Sequence, residues 1–447
     1  MRLAHGGFRA AGIFTAERIS DRAVGDSHHF QTRGPRSRGC HPEDAMQSPP
    51  GRTELIALLA MLIATIAFSI DAMLPALPEI GAELSPDDLN RAQLVITSFV
   101  LGMGIGTLFT GPLSDSFGRK PVILGGAAVY IVMSLVAAQE DTLELLLGAR
   151  VLQGLGAAGP RVVALAVLRD LFSGRGMARI MSFIMMVFTV FPAFAPSIGA
   201  LIIDVGGWRS IFLAFVVFSA ASAAWLMLRL PETLPREKRR PFRVGTLRHA
   251  VGEVLSNPVV RISIGVQALI FAMLFSMISS VQQIYDTSFG RAETFPLWFG
   301  GSAIFAATGS FLNAKLVMRL GMRYLVTTML AVQFVAAGIT VTLFTGGISG
   351  DWGFVVFLLW QVTVFFQMGL TVGNINAIAM EPMGHIAGLA ASVIGALATV
   401  MAVLFAVPVG LMFDGTPLPL AIGICVEAGL ALLLMRWLAR KEAAQPA

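Results

Sequence analysis

Apolar residues in this chain gather into blocks of about twenty, each bounded by a short polar stretch, with no alternation of apolar and polar positions between blocks. A helix of ~20 residues rises far enough to cross a ~30 Å hydrocarbon layer. The blocks predict helices over 54–76, 90–113, 121–138, 143–166, 178–203 and 207–229, then 259–284, 295–316, 322–345, 353–379, 386–411 and 418–438. A transmembrane barrel would read as ~10-residue alternating strands, a pattern this chain lacks. The expected fold class is an all-α membrane protein with twelve spans in two six-helix bundles. The domain limits are a leader at 1–50, bundles at 51–230 and 259–440, and a polar linker at 231–258.

Composition strengthens this reading. Of 447 residues, 55% are hydrophobic and 13% charged, against roughly 25% charged in soluble domains, and the mean hydropathy is +0.76. Disorder and a soluble enzyme are both excluded. The net charge of +5 does not point to nucleic acid, because the basic residues sit in loops between apolar blocks instead of forming a patch. Cys40 and Cys425, the only cysteines, lie too far apart in kind to suggest a disulfide framework or thiolate metal site.

Charge placement sets the expected orientation. One group of loops holds Arg119 and Lys120, Arg169, Arg175 and Arg179, six basic residues of the linker from Arg236 to Arg248, and Lys315, Arg319 and Arg323. The alternate loops hold only Arg91, Arg209 and Arg291 among several acids. The positive-inside rule then places both termini and the linker in the cytoplasm. In the linker, Val244, Leu247, Val251 and Leu255 recur at helical spacing. They fit either a short amphipathic helix on the inner leaflet or a solvated linker. The leader has no apolar core for a secretory signal and mixes Arg with Glu17, Asp21 and Asp26. It reads as a dispensable disordered tail, with Met46 as a suitable start.

Three motifs carry chemistry. GPLSDSFGRKP spans Gly111 to Pro121 between the second and third blocks. Gly111 allows close helix approach, Asp115 can meet a neighbouring helix, Gly118 permits a tight turn, and Arg119 and Lys120 anchor it in the cytosol. ARVLQGLGAAG carries Arg150, Gln153 and Gly154 inside an apolar block. Its Gly154, Gly156 and Gly159 spell the dinucleotide pattern GxGxxG, yet no strand precedes it, so small residues packing two helices explain it better. FPAFAPSIG places Pro192, Pro196 and Gly199 in the fifth block, where prolines free carbonyls beside a cavity or neighbouring protein.

Together these resemble the major facilitator superfamily, and SIDAMLPALP (Ser69 to Pro78) with GWRSIF and PETLP resembles its bicyclomycin/chloramphenicol-resistance branch of drug/proton antiporters. Ser116 stands where that family's loop usually has a second basic residue. The stretch Leu312 to Arg323 is a degraded echo of the loop motif at the corresponding place in the second half. The resemblance implies a monomeric inner-membrane exporter of amphipathic small molecules, with the proton as coupling ion and no cofactor. It further implies an intramembrane Arg150 in proton coupling.

From the residues, Asp71 is the expected coupling carboxylate, with Arg150 as its electrostatic partner; a fixed ion pair joining the first and fourth helices is the alternative. The resemblance implies that Asp115 bridges the two-helix turn to a neighbouring helix and stabilises the outward-facing state. Asn374, Asn376 and Gln361 are candidate cavity residues, although interhelical hydrogen bonding is the preferred reading for Gln361, as for Gln267 and Gln367. Arg161 either snorkels or lines the cavity, and Glu427 reads as a structural acid before a transport one. An importer or sensor on the same fold is the runner-up. No Walker loop, GxSxG elbow, helical histidine pair or acidic metal cluster appears in the spans, so an enzyme is disfavoured.

Overall fold

The computed structural model describes residues 51–172 and 174–443. The expectation for the leader lies outside the described residues. Among them, the chain forms α1 (Arg52–Asp71), α2 (Leu77–Leu84), α3 (Leu94–Phe117), α4 (Arg119–Ala137), α5 (Leu143–Leu171), α6 (Gly174–Gly206) and α7 (Arg209–Arg229). It continues with α8 (Val244–Ser256), α9 (Pro258–Gln283), α10 (Phe295–Leu320), α11 (Met322–Thr345), α12 (Gly350–Met380), α13 (Ala387–Leu411) and α14 (Leu418–Ala443). All but α2 and α8 are long enough to cross a bilayer. They follow the twelve predicted blocks closely, because block length and apolar content are local properties.

The helices form two six-helix sets that repeat one packing plan. In the first, α3 and α4 pack on α5, α1 packs on α6 and α7, and α4 packs on α7. In the second, α10 and α11 pack on α12, α9 packs on α13 and α14, and α11 packs on α14. The sets meet along α3 with α13 and along α6 with α10. The second long helix of each set thus lies against the fifth of the other, as a pseudo-two-fold axis along the membrane normal requires. The echo in the sequence has the same backbone as its original: Gly118 turns α3 into α4 at φ 105°, and Gly321 turns α10 into α11 at φ 81°.

Two departures from the sequence reading matter. The first span is not one helix. Pro75 has no N–H for the carbonyl of Asp71 four residues earlier, so α1 stops at Asp71, a 3-10 turn covers Leu74–Ala76, and α2 resumes beyond. The linker does form the amphipathic helix, α8, but its apolar face does not meet lipid. Leu247, Ala250 and Val254 are buried, and Leu247 and Val254 share one cluster with Val260 and Ile264 of α9 and Val393 and Ile394 of α13. Protein already covers that stripe, while Val244 and Leu255 at its ends stay exposed.

Candidate functional site

Arg150 is completely buried in α5 and organises the interior of the first set. Its Nε donates to the Val95 carbonyl of α3 (3.0 Å), Nη1 to Gln153 Oε1 (2.6 Å) and Nη2 to the Ser69 carbonyl of α1 (3.0 Å). The guanidinium carbon lies 4.5 Å from the centre of the Phe99 ring and 5.9 Å from that of Phe212. Gln153 then donates to Ser134 Oγ of α4 (2.6 Å), Ser134 donates to the Tyr130 carbonyl (2.7 Å), and the Tyr130 hydroxyl meets Ser69 Oγ (2.5 Å). Four helices are joined through one cation, with aromatic faces completing its shell.

The glycines of the decoy motif make this closeness possible. A Cβ on Gly154 would collide with the Phe99 carbonyl, and one on Gly156 would come within 2.6 Å of the Gly126 carbonyl of α4. Small residues therefore seat α5 against α3 and α4, and the dinucleotide reading falls away.

Asp71 sits two residues beyond Ser69, at the last turn of α1, and only 4% of its surface is exposed. The fixed ion pair with Arg150, the alternative to a coupling role, does not form. The cation is instead satisfied by two main-chain carbonyls and an amide, and Asp71 has no hydrogen-bond or ion-pair partner among the described residues. Arg150 still joins α1 to α5, through the Ser69 carbonyl and not through a carboxylate. Gly199 of α6 backs directly onto Ala72, because a Cβ there would strike the Ala72 carbonyl, and nearly two turns earlier Ala193 abuts Gly300 of α10. The Pro192, Pro196 and Gly199 segment therefore lies between the break at Asp71 and the second six-helix set.

At the linker end, Arg119 is the hub of the loop motif. It bonds Asp115 (2.6 Å), Asp170 of α5 (3.0 Å) and Ser114 Oγ (2.7 Å). The Asp115 carboxylate of α3 pairs across the Gly118 turn with Arg119, the first residue of α4, and Arg119 carries the link on to Asp170 of α5. Glu232 of the linker accepts from the backbone N–H groups of Arg119 (2.9 Å) and Lys120 (3.1 Å), capping α4. Lys120 Nζ donates to the Met227 carbonyl (2.8 Å), and Gly111 faces Ser392 of α13.

At the opposite end, five hydrogen bonds among the described residues cross between the sets. Asn90 donates to the carbonyls of Leu411 (3.2 Å) and Phe413 (2.8 Å), and Gln283 donates to Asn90 Oδ1 (2.8 Å). Gln93 donates to Gln283 Oε1 (2.7 Å) and accepts from Ser280 (3.1 Å). These bonds hold that end closed.

The proposed cavity residues of the second set are placed differently. Gln361 is fully buried, accepting from Tyr285 (3.0 Å) and donating to Ser302 (2.9 Å). Asn374 donates to Asn313 (2.8 Å) and to the Leu370 carbonyl (2.7 Å). Both amides tie α12 to its neighbours, while Asn374 Oδ1 has no hydrogen-bond partner among the described residues; Asn376 is half-buried. Arg161 turns inward onto Met103 Sδ (3.6 Å). Sequence reasoning missed Ser69, Tyr130, Ser134, Asp170, Glu232, Asn90, Gln93 and Gln283. Only Tyr130 and Ser134, one turn apart on an apolar helix, left a readable signal.

The sequence pattern of the Major Facilitator Superfamily matches residues 57–406. The chain belongs to the major facilitator superfamily. Within it the chain falls in the bicyclomycin/chloramphenicol-resistance branch. It is 30% identical over 385 residues to a bicyclomycin resistance protein homolog of Haemophilus influenzae, covering 83% of this chain and 93% of that one. It is 29% identical over 328 residues to the multidrug resistance protein MdtL of Klebsiella pneumoniae, covering 73% and 80%. The crystal structure of a D-xylose-proton symporter superposes with a TM-score of 0.68 at 15% identity, covering 86% of this chain and 96% of that one, a likeness of fold. The protein is a multi-pass membrane transporter and not an enzyme.

Proposed function

We propose that this transporter exports amphipathic small molecules across the bacterial inner membrane in exchange for protons, as a monomer with both termini and the linker in the cytoplasm. The proton is the coupling ion, and no resident cofactor takes part. The names of the bicyclomycin and multidrug resistance relatives support the substrate class. The basic residues gathered in one group of loops support the orientation. In that orientation the five-bond closure lies on the outer side.

The observation that carries the coupling is Asp71, buried and without a partner at a break in its helix. A bare carboxylate in hydrocarbon is costly, so the site holds either a proton or a positively charged group. A cationic substrate that displaces the proton, and a proton that later displaces the substrate, give exchange without simultaneous occupancy. The Gly199 contact on Ala72 links this event to α6, one of the helices at which the sets meet. In proteoliposomes with an imposed proton gradient, Asp71→Asn should lose gradient-driven efflux while still equilibrating substrate downhill. Full, uncoupler-sensitive efflux with unchanged pH dependence would remove the coupling role from Asp71.

A further inference from the structure

Beside the closed end lies a cavity of about 230 Å³ that the transport reading does not use. Leu77, Ala82 and Leu89 supply apolar wall from the first set, and Gln283 and Asp286 supply polar wall from the second, with Gln93 between them. Asp286 sits in a π-helical turn, Ile284–Ser288, that re-aims the chain at the end of α9. Such turns recur at functional sites. Its neighbour Arg291 is already committed to Asp351 (2.7 Å), and the Asp286 carboxylate has no partner among the described residues. Apolar walls with one free negative charge suit a ligand with an apolar body and a single positive charge. The volume is below the roughly 300–1,000 Å³ of drug-sized sites, so the ligand is small, about one aromatic ring and a short chain.

We propose that this cavity is a binding site for small amphipathic cations, distinct from the Asp71 region, and that its occupant holds the closed end shut. The second part follows from the walls. Gln93 and Gln283 line the cavity and also hydrogen-bond each other across the two sets (2.7 Å). Parting the sets separates the walls, so a ligand touching both binds the closed arrangement better and shifts the population toward it. Binding does not depend on what the transporter exports.

The test uses purified full-length protein in detergent, with 2-phenylethylammonium as probe and 2-phenylethanol as its uncharged counterpart. Binding is measured calorimetrically. Asp286→Asn should weaken the ammonium by about two- to five-fold, the scale of one partly exposed ion pair, and leave the alcohol unchanged. Ala82→Phe, which fills the cavity, should weaken both probes. Unchanged ammonium affinity in Asp286→Asn, or unchanged affinity of both probes in Ala82→Phe, overturns the site. The closure is read separately, by thiol labelling of Ser280→Cys with Cys40 and Cys425 replaced by alanine. Slower labelling with the ammonium supports it; unchanged or faster labelling overturns it.

Discussion

Each six-helix set buries a polar hub on its fourth long helix, and the two hubs are built from different chemistry. In the first set the hub is Arg150, a permanent cation that draws on α1, α3 and its own helix, with two aromatic rings against it. In the second it is Gln361, a neutral amide between Tyr285 and Ser302. The acids differ in the same sense. Asp71 stands two residues from a carbonyl bonded to the Arg150 guanidinium, at the end of a broken helix. Glu427 of α14 is buried in the body of an unbroken helix, with one oxygen 3.4 Å from Ser276. A buried cation demands acceptors from several helices at once and so makes them move as a unit. An amide asks for much less. On this contrast the proposed ion chemistry belongs to the first set, with the second as the body it works against.

The sharpest way to break the comparison is to exchange the hubs for apolar side chains. Arg150→Met should abolish efflux and cost roughly 3–5 kcal/mol of stability, because it strands Gln153 and two carbonyls in a dry interior. Arg150→Lys should not restore function, since a compact ammonium cannot span three acceptors held by a planar fork. Gln361→Leu should cost only about 1–2 kcal/mol and leave efflux largely intact. Thermal unfolding in detergent beside efflux in proteoliposomes measures all three. Equal losses from Arg150→Met and Gln361→Leu would erase the distinction.

The paired loop turns give a second, smaller contrast. Both glycines have positive φ, so alanine at either should cost about 1–2 kcal/mol in backbone strain. At Gly118 the added carbon would also come within 2.6 Å of Glu232 Oε2, whereas at Gly321 it meets nothing within 4 Å. Gly118→Ala should therefore lower the melting temperature clearly more than Gly321→Ala. It should also disturb the Glu232 cap, which Glu232→Gln would lose in part, at about 1 kcal/mol. The smallest effect is expected at Glu427. Glu427→Gln keeps the shape and can still meet Ser276, so efflux and its pH dependence should stay near the parent level. A change in the pH dependence would place ion chemistry in the second set after all.

Much of this was open to reading in one dimension. Twelve spans, their lengths, the linker helix and the paired loop turns follow from block length, helical periodicity and glycine placement, each set by residues near in sequence. The importance of Asp71, Arg150 and Arg119 was equally visible, since a charge in an apolar block calls for an explanation wherever it lies. Partnership was not visible. That Arg150 takes carbonyls in place of Asp71, that Arg119 and not Asp115 reaches α5, and that Gln361 and Asn374 hydrogen-bond to neighbouring helices all depend on which helix faces are brought together. The apolar stripe of α8 shows the same limit: its sequence demands a cover, but only the packing against α9 and α13 decides between protein and lipid. A span needs only its own residues to be apolar enough for a bilayer. A hydrogen bond needs two groups, and where the second stands is settled only when the helices have packed.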